Sequence, residues 1–503
     1  MLIYEYFIGL EGLRLLVLWL LSQKNFNSIK NRLSWVAKVW LPYVLVTFLF
    51  LFWRVFVFKS IRPATDLGNL TARYSGSPFY MAARVIIETA KDFVETVFLA
   101  WAVPLYQLSY RSEYKEWMIS IFLALVGSSI FLLYYLLTRN RSQEQNGEPP
   151  TGSRWGRLLI ISGAVIVICT LLPMVLAGRD VYYADQFDRY TLQSSIGAAM
   201  LIVGLIFVLV QSRYQKWLIA VLLGAAVMTH FQSAVYYKEN WDIQKDLWRQ
   251  MTWRAPQIEP GTTLIISLPD GYRFAESYEI WSPANLIYYP QPGSPVLSGE
   301  VLNNYSAQMV LQGQSVSSVT RGISDDKNFQ KVLVVSMQTR SSCAHILNGS
   351  LVVHGEEEEA NVRQIAEYSD TSTIIPGDPK RSLPAAIFGG EPELTWCYYY
   401  QKANLAKQSG DWNEAARLID EAFENGLQPK DQSEWLVALE AYANSGREED
   451  ANALISRFSL DNIRLWNPVC QQLRERQAAG NSPYPGNYNF DLVLGLLCQD
   501  RQP

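Results

Sequence analysis

The pattern of apolar and polar positions divides the chain into two unlike halves. From the start to about Tyr237, seven long apolar runs are separated by short polar connections: Tyr6–Leu21, Trp35–Phe58, Phe93–Tyr106, Trp117–Leu137, Leu158–Ala177, Ile196–Val210 and Trp217–Tyr237. Runs of about 20 residues fit a hydrocarbon layer about 30 Å thick, so this half is expected to be a polytopic helical membrane domain, residues 1–240. The first run has Glu5 and Glu11 ahead of its first basic residue, Arg14, and no small-residue cleavage pattern, so a retained helix is expected. Glu11 and Arg14, three apart on one face, should pair, because a lone charge near a helix centre costs about 2.5–3.5 kcal/mol.

Beyond Tyr237 the period changes. Residues 241–257 carry an amphipathic helical pattern whose tryptophans suit an interfacial anchor. Short β-branched runs follow between turn signals: Thr262–Leu268, Ser315–Ile323 and Lys331–Met337. Helical patterns at Asn304–Gln312 and Asn361–Tyr368 intervene, so residues 258–393 read as a small α/β domain. The carboxylate run Glu356–Glu359 reads as a solvated face. Residues 394–503 are helical throughout, with a capping helix expected over Asp461–Gln477.

Short-loop Lys and Arg set the orientation. The basic connections Gln23–Ser34, Thr138–Arg157 and Gln211–Lys216 are all cytoplasmic only if Phe93–Tyr106, broken by Pro104, makes no simple crossing. Residues 61–116 then form one external region with a re-entrant or interfacial element. Six crossings result, with the soluble half extracytoplasmic.

Composition changes this picture little. A net charge of −4 over 503 residues conceals the split, and no basic block points to nucleic acid. With three histidines and no C-x-x-C pair among five cysteines, a zinc site of the usual spacing is not expected. Cys343, Cys397, Cys470 and Cys498 lie in the half placed outside, where disulfides form; Cys470–Cys498 is the first pairing to test, and free buried thiols are the alternative.

The candidate chemistry lies in the connection Gly178–Ser195, between two apolar runs. Arg179 and Arg189 could hold a phosphate as charge-assisted donors. Tyr182 and Tyr190 could line a sugar or lipid-phosphate pocket, and one of Asp180, Asp185 or Asp188 could act as base or as ligand to a divalent metal. No cofactor is otherwise implied. The same residues also fit an ordinary connecting loop with interfacial tyrosines.

Two resemblances bear on this. Tyr399, Ala403, Gly410-Asp-Trp-Asn-Glu-Ala415 and Ile419, then Trp435, Leu439, Gly446-Arg-Glu-Glu-Asp-Ala451 and Ile455, resemble tetratricopeptide helix pairs. Two repeats need further packing, so docking on the α/β domain is expected. Tyr4-Glu5-Tyr6 and Arg189-Tyr190-x-x-x-Ser194 are similar to motifs of GT-C type glycosyltransferases, in particular the transmembrane tetratricopeptide O-mannosyltransferases and their bacterial relatives. The resemblance implies a polyprenyl-phosphate-linked sugar as ligand on the extracytoplasmic face, with Glu5 at the substrate end of the first helix. It also implies a catalytic carboxylate in the first external loop, yet Gln23–Ser34 has no Asp or Glu. Either an N-terminal half is supplied by another polypeptide, or the protein no longer catalyses. The alternative function is a non-catalytic membrane scaffold that binds a protein partner through its tetratricopeptide-like face.

Overall fold

The computed structural model describes residues 5–58, 78–103, 114–144, 152–179, 181, 188–272, 274–320, 322–355, 358–377, 383–390, 392–457 and 463–498. The chain forms two compact units, Met1–Tyr237 and Lys238–Pro503.

The first unit is helical: α1 Glu11–Asn25, α2 Ile29–Phe52, α3 Pro78–Val97, α4 Tyr114–Glu144, α5 Gly152–Leu176, α6 Ser195–Leu209 and the start of α7 Ser212–Arg254. Among the described residues, five helices are long and apolar enough to cross a membrane: Ile29–Phe52, Tyr114–Thr138, Arg154–Leu176, Arg189–Leu209 and Ser212–Arg254. Two of the seven apolar runs do not give such a helix. The first splits into a 3-10 turn, Glu5–Leu10, and the 15-residue α1. At 1.5 Å per residue α1 reaches about 22 Å, short of the hydrocarbon layer. The Phe93 run is divided by the end of α3 at Val97, and a 3-10 turn covers Leu99–Ala102.

Glycines set the closest approach in this unit. A Cβ on Gly163 of α5 would lie 2.6 Å from the Gly197 carbonyl oxygen of α6, and one on Gly204 would lie 2.8 Å from that of Gly156. The two pairs recur every seven residues on both helices, making a seam where backbone meets backbone. The 3-10 turn meets α5 in the same way: a Cβ on Gly9 would run into the Cys169 carbonyl oxygen, whereas one on Gly12 of α1 would meet the Cys169 side chain. The expected Glu11–Arg14 pair forms, at 2.6 and 2.8 Å, with the Trp40 indole donating to Glu11 at 3.3 Å and Arg14 over the Tyr43 ring.

The second unit begins within α7. The apolar part of that helix, Trp217–Tyr237, belongs to the first unit and its polar remainder, Lys238–Arg254, to the second. The remainder is no separate interfacial helix. Leu247, Trp248 and Met251 are at most 1% exposed and pack in the core, which corrects the reading of Trp248 as a membrane anchor.

The strands are β1 Gln257–Ile258, β2 Thr263–Ser267, β3 Ser298–Val301, β4 Ser315–Thr320, β5 Ile323–Asn328, β6 Val332–Ser336, β7 His345–Ile346 and β8 Ile374–Ile375. The main sheet has order β3-β2-β6-β7, with β2 parallel to β3 and β6 and with β7 antiparallel. Its two central strands, Thr-Leu-Ile-Ile-Ser and Val-Leu-Val-Val-Ser, are buried at every position, as continuous apolar strands covered on both faces must be. Helix α8, Tyr278–Tyr288, lies between β2 and β3 in sequence and packs on both. Helix α9, Asn304–Gln312, starts at an Asn303–Ser306 capping box and stops at Gly313, whose φ of +59° suits glycine. Strands β4 and β5 form a hairpin with Gly322 in its turn, and α10, Ala360–Ile365, continues in a 3-10 turn to Tyr368.

After the short α11, Ala385–Phe388, come two helix pairs, α12 Trp396–Gln408 with α13 Trp412–Glu424, and α14 Trp435–Asn444 with α15 Glu448–Ile455. Then come α16 Ile463–Ala479 and α17 Phe490–Leu497. Ala403, Ala415, Ala422 and Ala451 are fully buried where these helices meet, and Gly410 and Gly446 take φ of +75° and +80° at the turns. Every residue from Trp435 to Ala443 is buried. Cys470–Cys498 and Cys343–Cys397 are disulfides, and Cys169 is free.

Candidate functional site

In the first unit the polar connection ends in a 3-10 turn, Asp188–Ser194, that leads into α6. Asp180, Tyr182 and Asp185 lie outside the described residues. Asp188 opens the turn, and Glu5 opens the 3-10 turn before α1. Among the described candidates, Arg179 and Arg189 both face one ring: their guanidinium carbons lie 5.8 and 5.5 Å from the centroid of Tyr190. Tyr190 is 8% exposed and packs with Val97, Leu171, Met174, Val181 and Leu201, while Arg189 is exposed. The turn is pinned to α5: Gln193 Nε2 donates to the Tyr190 carbonyl at 2.6 Å and to Met174 Sδ at 3.1 Å, and the Thr170 and Ser194 hydroxyls are 2.8 Å apart.

Two acidic residues not singled out from the sequence lie on α3, a helix that contributes to this cluster. Phe93 and Val97 bring the end of α3 against Tyr190's neighbours. On the same helix Asp92 is 1% exposed, with Lys91 Nζ at 3.7 Å from its carboxylate. Glu95 Oε2, Thr89 Oγ1 and Thr96 Oγ1 are buried without hydrogen-bond partners. Glu88, Asp92 and Glu95 recur at i, i+4, i+7, the spacing of one helix face. That period was readable; the burial of Asp92 was not.

In the second unit a different set of buried polar groups converges. Glu434, fully buried, accepts the Cys343 backbone N–H at 2.6 Å and the Trp396 indole N–H at 2.8 Å, and its Oε1 lies 3.4 Å from His345 Nε2. Burial alone would push the His345 imidazole down, but the neighbouring Glu434, with Asp431 and Glu358, outweighs it and raises the pKa. His345, Asp431 and Glu434 offer ligand atoms within 4.8 Å of one another. Both Glu434 oxygens already receive N–H donors, and Asp431 Oδ1 accepts from the Ser433 N–H and hydroxyl, so the geometry is that of a hydrogen-bonded charge network. Glu358 also departs from the solvated face expected for its acidic run. It is 3% exposed and accepts from Ser336 and Gln338, because the chain turns it back onto the end of β6.

Beside this network is a cavity of about 50 Å³, with Arg254, His345, Tyr400, Asn404, Lys407 and Tyr484 among its lining. Lys407 Nζ donates to Glu440 at 2.7 Å, and Glu440 also accepts from the Tyr488 hydroxyl at 2.8 Å. Arg254 is 5% exposed, and its Nη1 is buried without a hydrogen-bond partner.

Comparison with known protein families, with characterised proteins and with solved structures returns no match for this chain.

Proposed function

We propose that this is a GT-C-like membrane protein that handles a polyprenyl-phosphate-linked sugar on the extracytoplasmic face. The observation that carries the reading is the convergence of Arg179 and Arg189 on the buried Tyr190 ring at the polar end of α5 and α6. Two guanidinium groups there supply the fixed donors a lipid phosphate needs. Polar side chains buried among apolar helices are costly and mark functional sites by default, which adds Asp92 and Glu95 to Asp180, Asp185 and Asp188 as candidates for a base. Two disulfides in the second unit support an oxidising compartment for it. The layout we favour is a membrane domain, a short α/β domain and tetratricopeptide-like helix pairs.

The second reading is a non-catalytic scaffold whose helix pairs hold a partner protein. It is favoured by the disulfide-braced packing of the helix pairs, and a partner would then use the outer helices, since α14 is buried throughout. The test is binding of a polyprenyl-phosphate hexose to the protein in nanodiscs, wild type against Arg189→Ala. The first reading expects saturable binding weakened at least about tenfold by the substitution, the worth of one charge-assisted pair. No binding by the wild type would leave the scaffold.

A further inference from the structure

We propose that the cavity beside Arg254 in the second unit is a binding site for a small monocarboxylic acid. The argument starts from charge. Two cations, Arg254 and Lys407, and the imidazole of His345 line the cavity. Lys407 is paired with Glu440 at 2.7 Å, and His345 has Glu434 at 3.4 Å. Arg254 has no carboxylate partner among the described residues, and its buried Nη1 donates to nothing. A guanidinium without a partner in a desolvated site is costly, and burial pushes Arg254 down to about 10. One negative charge brought into the cavity would satisfy it.

The surroundings select the kind of anion. Glu440 and Glu434 are taken by Lys407 and His345 and Asp431 carries a further negative charge nearby, so a dianion such as phosphate would exceed the single charge that Arg254 can match. A planar carboxylate matches the guanidinium fork, with two parallel N–H donors to two oxygens. Part of the lining is apolar: Leu351, Leu436 and Val437 are at most 3% exposed. A volume of about 50 Å³, at roughly 10–15 Å³ per water, holds about four waters or an acid of four or five heavy atoms. An oxyanion against Arg254 with a short aliphatic body against Leu436 suits both kinds of lining. The site is built from groups in the second unit alone and is independent of the lipid-phosphate reading.

The test uses full-length protein in nanodiscs with sodium propionate as probe, against sodium chloride and sodium phosphate at equal ionic strength. Propionate is expected to raise the melting temperature saturably and to bind one per chain by calorimetry. Arg254→Gln should weaken that binding at least tenfold. Leu436→Phe, which fills the cavity and leaves the arginine in place, should abolish it. No saturable response from the wild type overturns the proposal, as does an undiminished response in Leu436→Phe. Phosphate binding more tightly than propionate at the same site overturns the monoanion assignment.

Discussion

His345 shows how one residue can make the second unit sensitive to pH. Its pKa is raised above the ordinary value of about 6.5 because Glu434, Asp431 and Glu358 favour the imidazolium more than burial disfavours it. A raised folded pKa adds stability that is full below the unfolded value and is lost as pH rises through the folded one. Replacing His345 by Gln is therefore expected to cost about 1.5–3 kcal/mol near pH 6, the worth of a hydrogen bond to a charged group, and progressively less at alkaline pH. Thermal melts of both proteins across that range would check the sign; a gap that widens toward alkaline pH would overturn it. Nothing in the sequence around Cys-Ala-His-Ile marks this histidine, because its partner is 89 residues away in the 3-10 turn before α14.

At the scale of elements the glycine seam between α5 and α6 makes the sharpest prediction. Gly163→Val must push its new side chain into the Gly197 carbonyl and the Leu201 backbone N–H, both 2.6 Å from the Cβ position, so the two helices must separate. Overpacking of this kind costs typically 1–3 kcal/mol. A lower melting temperature is expected for Gly163→Val. Gly127→Ala, whose Cβ would meet only the Val227 methyl at 3.3 Å, should melt within a few degrees of wild type.

Elements with a clear period were legible in the sequence: Asn304–Gln312 is a helix at those limits, and the buried strands and the helix pairs lie within a few residues of their patterns. What the period could not carry was which polar face would be covered. Glu358 read as a solvated face and Trp248 as a membrane anchor, yet each is buried by partners distant in sequence. The two arginines of the candidate site were legible as cations at an apolar boundary. Their convergence on one tyrosine depends on the turn at Asp188–Ser194, pinned by Gln193 and Thr170, which no local motif announces.

For the whole molecule, the cysteines divide the chain chemically as its hydropathy does. Alkylation of the unfolded protein without reductant is expected to modify one thiol, Cys169, and with reductant all five. Intact mass before and after reduction reads this directly, and modification of more than one thiol without reductant would contradict the pairing.

The bond between Cys343 and Cys397 also makes the second unit a mechanical device. Pulled from its ends, an oxidised chain cannot release the 54-residue span that the bond closes, a length of about 180–190 Å at 3.3–3.6 Å per residue. Tension on the second unit would bypass strand β7, α10 and β8, which lie inside that closed span, and pass through the bond to the start of α12. His345 lies inside the closed span as well, so the Glu434 network is shielded from direct loading on one of its two sides until the bond is reduced.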